Sequence, residues 1–131
     1  MRNVLLIFLT VSLAVICCFS PGLAAEKAEP VRHIVIFKYS SDASEEQIQK
    51  VTDAFLSLRK KIPGITGFET GVNNSSLGKN YGFTHVYLMT FRDEAARDAY
   101  LPHPEQEKFR ELLRNSPIFE ESFVVDWVPH E

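Results

Sequence analysis

Hydrophobic residues in this chain recur with two different periods, one typical of strands and one typical of helices. β-branched and aromatic residues are concentrated in four short stretches bounded by Gly, Pro, Asn and Ser. Such stretches are typical of strands, and we predict strands at residues 31–39, 65–72, 83–91 and 119–128. Four strands are enough for one small sheet.

Between the first two predicted strands, the apolar residues have the spacing of one helical face. They recur every three or four positions and comprise Ile48, Val51, Phe55, Leu58 and Ile62. Ser44 and Gln47 have the spacing of a capping box, in which each side chain bonds to the backbone of the other residue. Pro63 and Gly64 follow the last apolar position, so we expect this helix to end there.

A second helical region lies between the third and fourth predicted strands. Pro102 and Pro104 break it into a short helix at residues 94–101, which Asp93 can cap, and a longer helix at residues 105–115. The resulting order is β-α-β-β-α-β. This order predicts an α+β, ferredoxin-like fold with a four-stranded antiparallel sheet and helices on one face.

The first 25 residues have the three parts of an export signal. A short basic start is followed by an apolar run over residues 4–19, and Pro21 and Gly22 precede small residues that suit cleavage after Ala25. We therefore expect a secreted or periplasmic protein that has no membrane association once residues 1–25 are removed. A membrane anchor is the alternative, because this apolar run approaches the length that spans a bilayer.

The positions of the cysteines and the distribution of charge exclude some kinds of chemistry and some partners for the chain after residue 25. Cys17 and Cys18 both lie in the signal segment, so the mature domain would have no disulfide and no thiol chemistry. Lipidation of one of them remains an alternative, although Ile16 stands where a lipoprotein signal needs a small residue. The chain has 14 Lys and Arg against 17 Asp and Glu, and the basic residues are scattered, which argues against a nucleic-acid partner.

Both faces of the predicted sheet carry apolar side chains. One face of the first strand would present His33, Val35 and Phe37 to the helices. The opposite face would carry seven large apolar side chains: Ile34, Ile36, Val86, Leu88, Phe123, Val125 and Trp127. Burying one such side chain stabilises a protein by about 1.5–3 kcal/mol, so leaving this face in water is unfavourable. We predict that a second copy of the chain covers it.

Several segments in this order resemble the stress-responsive A/B barrel (Dabb) family. They are residues 32–38, Pro63-Gly64-Ile65, residues 81–86, Thr90-Phe91, residues 98–101, His103-Pro104 and residues 123–129. The resemblance spans residues 31–129, after a polar lead-in at residues 26–30. It implies a dimeric α+β barrel in which two four-stranded sheets close against each other.

The resemblance also implies candidate catalytic positions. A few plant relatives are polyketide cyclases, which use a tyrosine in the short helix, a histidine after the His-Pro segment and an aspartate in the last strand. Tyr100 and Asp126 match the tyrosine and the aspartate, but Gln106 stands at the histidine position. An amide cannot act as a base, so His33, His85 and Asp126 are the remaining candidates for that role.

These observations favour ligand binding over catalysis. We predict a space between the sheet and the helices that takes a small apolar ligand, without a cofactor or a metal ion. Its predicted lining comprises His33, Val35, Phe37, Phe55, Tyr87, Met89, Tyr100, Leu101, Gln106, Phe109 and Asp126. A cyclase-like or monooxygenase-like enzyme acting on an aromatic or polyketide-type compound is one alternative, and a structural stress-response protein is the other.

Overall fold

The computed structural model describes residues 28–130, so the predicted export signal at residues 1–25 lies outside the described residues. Seven elements follow one another in the predicted order. They are β1 (Val31–Tyr39), α1 (Glu45–Lys61), β2 (Ile65–Val72), β3 (Phe83–Phe91), α2 (Glu94–Tyr100), α3 (Pro104–Arg114) and β4 (Phe119–Trp127). The α+β prediction is confirmed.

The four strands form one antiparallel sheet in the order β2-β3-β1-β4. The two central strands, β1 and β3, are therefore the first and third in the chain. This is the ferredoxin-like arrangement that the order of elements predicted.

Local capping fixes where the helices begin and end. Ser44 and Gln47 form the predicted capping box of α1, and Asp93 caps α2 by accepting from the backbone N–H of Ala96. The third helix begins at Pro104, one residue earlier than predicted. Proline is tolerated at the first helical position because the N–H groups of the first turn have no partner within the helix.

One face of the sheet packs against the helices and forms the core. The residues of β1 alternate between buried and half-buried along the whole strand. Phe37, Phe55 and Phe109, from one strand and two helices, stack with ring centroids 5.6 Å and 4.3 Å apart. Aromatic side chains therefore fill the space between the sheet and the helices.

The other face of the sheet has no cover within the described residues. In β4, Phe123 lies opposite Ile36 and Val125 lies opposite Ile34, so these side chains share one face as predicted. Phe123 is 54% exposed, and Val125 and Trp127 are both 41% exposed. We call this surface the outer face. Its apolar character confirms the pattern that the sequence predicted.

A close contact at Gly64 fixes the position of α2 on this core. Gly64 has a φ of +91°, and a Cβ atom placed on it would lie 2.6 Å from the Cβ of Ala96 in α2. Its carbonyl accepts a hydrogen bond of 2.9 Å from the backbone N–H of Arg92. The glycine thus permits both the turn after α1 and the close approach of α2.

Candidate functional site

Two predicted site residues meet where β1 and β4 pair. His33 and Asp126 are direct cross-strand partners, and His33 Nδ1 lies 2.5 Å from Asp126 Oδ1. An ionised carboxylate only accepts hydrogen bonds, so Nδ1 carries a proton and its N–H donates the hydrogen bond to Asp126. The other ring nitrogen, Nε2, is then the atom of His33 that can accept a proton.

Arg97 holds the same carboxylate from the helical side. Its Nη1 donates to Asp126 Oδ2 at 2.7 Å, and its Nε donates to Asp98 Oδ1 at 2.7 Å. Hydrogen bonds to Asp98 and to Asp126 raise the pKa of the Arg97 guanidinium. Asp126 therefore binds β1 through one oxygen and α2 through the other, which fixes its orientation.

Tyr100 completes this group, which we call the His33 cluster (His33, Arg97, Tyr100 and Asp126). Its ring is fully buried and lies edge-on to His33, with the ring centroids 5.8 Å apart. Its hydroxyl has no hydrogen-bond partner in the structure, and burial raises the pKa of this group, so it stays protonated. An unpaired buried polar group costs about 1–3 kcal/mol.

Gln106 carries a second orphan atom. It lies in the first turn of α3 and is 9% exposed, and its Oε1 has no hydrogen-bond partner in the structure. His103 holds the connection between Tyr100 and Gln106, because its backbone N–H donates to Tyr100 O at 3.0 Å and its Nδ1 accepts from Glu105 N at 3.2 Å. The break between α2 and α3 therefore carries one donor without a partner, the Tyr100 hydroxyl, and one acceptor without a partner, Gln106 Oε1.

His85 is separated from the His33 cluster along the sheet. His33 is opposite Met89 in the register, whereas His85 is opposite Phe37. Four residues along a strand span roughly 13 Å. The strands are adjacent, but their antiparallel register puts the two rings at opposite ends of the core.

His85 also has a different environment. Its Nδ1 lies 2.9 Å from Thr84 Oγ1, and its ring meets Tyr39 edge-on at 5.1 Å. Burial lowers the pKa of His85, because removing water disfavours the charged imidazolium.

Most of the other predicted lining residues are in the core. They are Val35, Phe37, Phe55, Tyr87, Met89 and Phe109, and each is at most 5% exposed. They pack against one another and fill the space that we predicted for a ligand. Leu101 is 44% exposed and is the C-cap of α2, away from this core. A role for these side chains in ligand binding stays a prediction.

A chain of hydroxyl groups near His85 was not predicted. Tyr87 Oη lies 2.8 Å from Thr52 Oγ1 and 3.2 Å from Tyr39 Oη. The sequence contained a signal for it, because Thr52 follows Val51 on the apolar side of α1 and Tyr39 lies on the same face of β1 as His33.

Within residues 28–130, no three His, Cys, Asp or Glu side chains converge as metal ligands do. No helix of that part of the chain is long and apolar enough to cross a membrane.

Comparison with known proteins places this fold in a family. A model of the Stress Responsive A/B Barrel Domain matches residues 31–129. The stress-response A/B barrel domain-containing protein HS1 of Arabidopsis thaliana is 25% identical over 104 residues, which are 79% of this chain and 94% of that protein. Olivetolic acid cyclase of Cannabis sativa is 23% identical over 101 residues, which are 77% of this chain and 98% of the cyclase.

Solved structures share the fold. A hydroxynitrile lyase from Passiflora edulis superposes with a TM-score of 0.69 and 27% identity, covering 79% of this chain and 95% of the lyase. A dimeric ferredoxin-like protein of unknown function from Jannaschia sp. superposes with a TM-score of 0.61 and 26% identity, covering 75% of this chain and 97% of that protein.

Proposed function

The chain belongs to the stress-responsive A/B barrel domain family, and on that premise we propose that it binds a small, mostly apolar molecule at the His33 cluster. The ligand would carry a carbonyl or hydroxyl oxygen. The cluster would bind its oxygen, and its apolar part would contact the neighbouring core residues once α2 and β4 part.

The unpaired hydroxyl of Tyr100 is the observation that carries this proposal. Nearly all buried polar groups in folded proteins have a hydrogen-bond partner, so an exception requires an explanation. Tyr100 is 0% exposed and its hydroxyl stays protonated, which makes it a donor without an acceptor. A ligand oxygen would supply that acceptor, and the orphan Oε1 of Gln106 would take a donor from the same molecule.

Arg97 and Asp126 lie at the protein surface, and a ligand could reach Tyr100 between them. The side chains of Arg97 and Asp126 are 20% and 29% exposed, whereas the side chain of His33 behind them is 7% exposed. The salt bridge between Arg97 and Asp126 joins α2 to β4, so parting these two elements would open the way to Tyr100. Three clefts on the surface of residues 28–130 are lined by other residues than those of the cluster.

Thermal shifts against a panel of apolar carbonyl and phenol compounds test the proposal. We expect some compounds to raise the melting temperature, and Tyr100→Phe to weaken their binding by about 5–10-fold, the equivalent of one hydrogen bond. Tyr81→Phe is the matched control, because Tyr81 is 84% exposed in a loop. If no compound raises the melting temperature, a purely structural role in the stress response is favoured instead.

The protein would act as a homodimer joined through the outer face. The dimeric protein from Jannaschia shares this fold, and the apolar side chains of the outer face are only partly buried in one chain. A second copy that packs sheet against sheet about a two-fold axis would cover the same surface on both chains.

Two glutamate substitutions at equal exposure test the dimer. Val125 on the outer face and Leu112 on α3 are both 41% exposed. We expect Val125→Glu to convert the protein to a monomer in sedimentation velocity, because a charge in the interface would lose its water. Leu112→Glu should leave the dimer intact. A wild-type monomer at micromolar concentration would contradict the proposal.

A second candidate function is catalysis of an aldol-type reaction. His33 Nε2 would take a proton from the carbon next to a carbonyl, and Tyr100 would donate to the developing enolate oxygen. The carbanion would then attack a second carbonyl carbon, and the resulting alkoxide would receive the proton from the imidazolium. The hydrogen bond between His33 and Asp126 favours this reading, because the carboxylate stabilises the imidazolium.

Turnover of a linear polyketone separates this candidate from simple binding. We expect His33→Gln to reduce the rate by about 10²-fold or more if His33 is the base. Gln106→His would place an imidazole at the position that the cyclase resemblance assigns to the base. A rate that is unchanged in His33→Gln would exclude His33 from the chemistry.

Export is the remaining part of the proposal. The basic start, the apolar run and the small residues before Glu26 support removal of residues 1–25. Intact mass measurement of protein from exporting cells should give a chain that begins at Glu26. An uncleaved chain in the membrane fraction would favour the anchor, and a lipid adduct on Cys17 or Cys18 would favour the lipoprotein.

A further inference from the structure

We infer a second binding site, for a small uncharged molecule with several hydroxyl groups, at the opposite end of the core from the His33 cluster. A cleft of about 440 Å³ lies there between α1, β2 and β3. Its polar lining comprises Glu45, Gln49, Thr52, Thr70, His85 and Tyr87. We call it the hydroxyl cleft, and its volume lies within the range of small-molecule sites.

The spacing of residues along α1 and the pairing of β2 with β3 explain why polar side chains converge at the hydroxyl cleft. Glu45, Gln49 and Thr52 are spaced along one side of α1, where residues four and three positions apart are neighbours. Thr70 is opposite Tyr87 in the pairing of β2 with β3. Side chains from a helix and two strands therefore meet over one cleft.

A group of three hydroxyls has an unused donor, and two of the three, those of Thr52 and Tyr87, line the cleft. Tyr39, Tyr87 and Thr52 each carry one hydroxyl proton, and two hydrogen bonds join the three oxygens. Burial raises the pKa of Tyr39, so its proton is retained. Each hydrogen bond uses one proton, which leaves one hydroxyl proton of the three free to donate to another molecule.

Acceptors lie at the rim of the same cleft. The amide nitrogen of Gln49 donates to Asp53 Oδ1 at 2.8 Å, so its oxygen remains the free half of the amide. Glu45 contributes a carboxylate, and His85 contributes a ring whose burial favours the neutral, accepting form. A ligand with several hydroxyl groups both donates and accepts, as this lining requires.

The charge of the lining favours an uncharged ligand. No Lys or Arg is among the residues that line the cleft, so an anion would find no counter-charge. Its one carboxylate, Glu45, lies in the first turn of α1, where the positive end of the helix already compensates it. Ile48 and Val72 supply apolar walls suited to the carbon skeleton of a ring-shaped polyol or monosaccharide.

Amide chemical shifts of the ¹⁵N-labelled protein, measured during titration with neutral monosaccharides and cyclic polyols, test the inference. We expect saturable shifts at α1 and β2 residues of the cleft, with dissociation constants in the millimolar range. An amino sugar and a sugar acid of the same skeleton serve as charged comparison ligands. Both should bind more weakly than the neutral sugar. Tighter binding of either charged ligand would overturn the assignment of an uncharged ligand.

Two variants and a matched control locate the binding. Thr52→Val removes one hydroxyl of this group and should weaken binding about 5-fold, the loss of one hydrogen bond. Gln49→Trp, at an exposed position on the rim, should abolish it by filling the cleft. Lys60→Trp, at another exposed position near the end of α1, should bind as the wild type does. Absence of saturable shifts, or shifts unaffected by Gln49→Trp, would overturn the inference.

Discussion

Two buried tyrosines lie at opposite ends of one core, and their hydroxyl groups differ in whether they have a hydrogen-bond partner. Tyr87 and Tyr100 are 1% and 0% exposed, and both lie between the sheet and the helices. The hydroxyl of Tyr87 joins Thr52 and Tyr39, whereas the hydroxyl of Tyr100 has no partner. The first hydroxyl therefore stabilises the fold, and the second destabilises it unless a ligand supplies an acceptor.

The surroundings of the two histidines differ in charge. Asp126 and Arg97 surround His33 with a carboxylate and a guanidinium, so that end of the core is ionic. Thr84 and Tyr39 surround His85 with neutral groups. The ionic end is suited to acid–base chemistry, or to holding one ligand oxygen in a fixed orientation. The neutral end is suited to a ligand that makes several weak hydrogen bonds.

Removing the carboxylate from the ionic end should have the largest effect. Asp126→Ala takes the charged partner from both His33 and Arg97, and hydrogen bonds to charged groups contribute about 1.5–3 kcal/mol. We expect the free energy of unfolding in urea to fall by about 2–3 kcal/mol. Thr84→Val, which removes the neutral partner of His85, should cost less than half as much. Equal losses would contradict the contrast between the two ends.

Removing the paired hydroxyl should have the next largest effect. Tyr87→Phe deletes the oxygen that joins Thr52 to Tyr39, and it leaves the buried Tyr39 hydroxyl without that partner. We expect a loss of about 1–2 kcal/mol in the free energy of unfolding. A variant as stable as the wild type would show that the hydroxyl chain contributes little.

Removing the unpaired hydroxyl should change stability in the opposite direction. Tyr100→Phe deletes a buried donor that has no acceptor, so the ligand-free protein should be unchanged or about 1 kcal/mol more stable. The same variant should lose affinity for the ligand. A loss of stability similar to that of Tyr87→Phe would mean that the Tyr100 hydroxyl has a partner in the folded protein.

Acidification should have the smallest effect, and it should act at the neutral end. Because burial holds the pKa of His85 below its ordinary value of 6.5, the unfolded chain binds more protons than the folded chain as the pH falls through that value. Stability contributed by neutral His85 is thus present above pH 6.5 and lost below it. Unfolding between pH 7.5 and 5.5 should show a smaller loss in His85→Gln than in the wild type. His130→Gln, in the C-terminal tail, is the control.

The fold could be predicted closely because its signals are local. The bounds of β1, β2 and β3 match the predicted stretches, and the capping box at Ser44 was readable from two residues. The start of α3 was missed by one residue, because Pro104 was interpreted only as a helix breaker and not as a first helical residue.

The site could be predicted only in part, because its geometry depends on register and packing. Tyr100 and Asp126 were identified through the family resemblance, and the structure brings both of them to His33. His85 lies at the other end of the core from His33, and this separation follows from the pairing of β1 with β3, which the two strand sequences alone do not give. The stacking of Phe55 on Phe109 likewise depends on side-chain positions that periodicity does not give.

A crystal structure with the best compound of the thermal-shift panel bound tests the central claim most directly. We predict a ligand oxygen within about 3 Å of the Tyr100 hydroxyl oxygen, the distance of an ordinary hydrogen bond, with α2 displaced from β4. A ligand well ordered at another surface, with the Tyr100 hydroxyl still unpaired, would contradict the claim that the His33 cluster is the binding site.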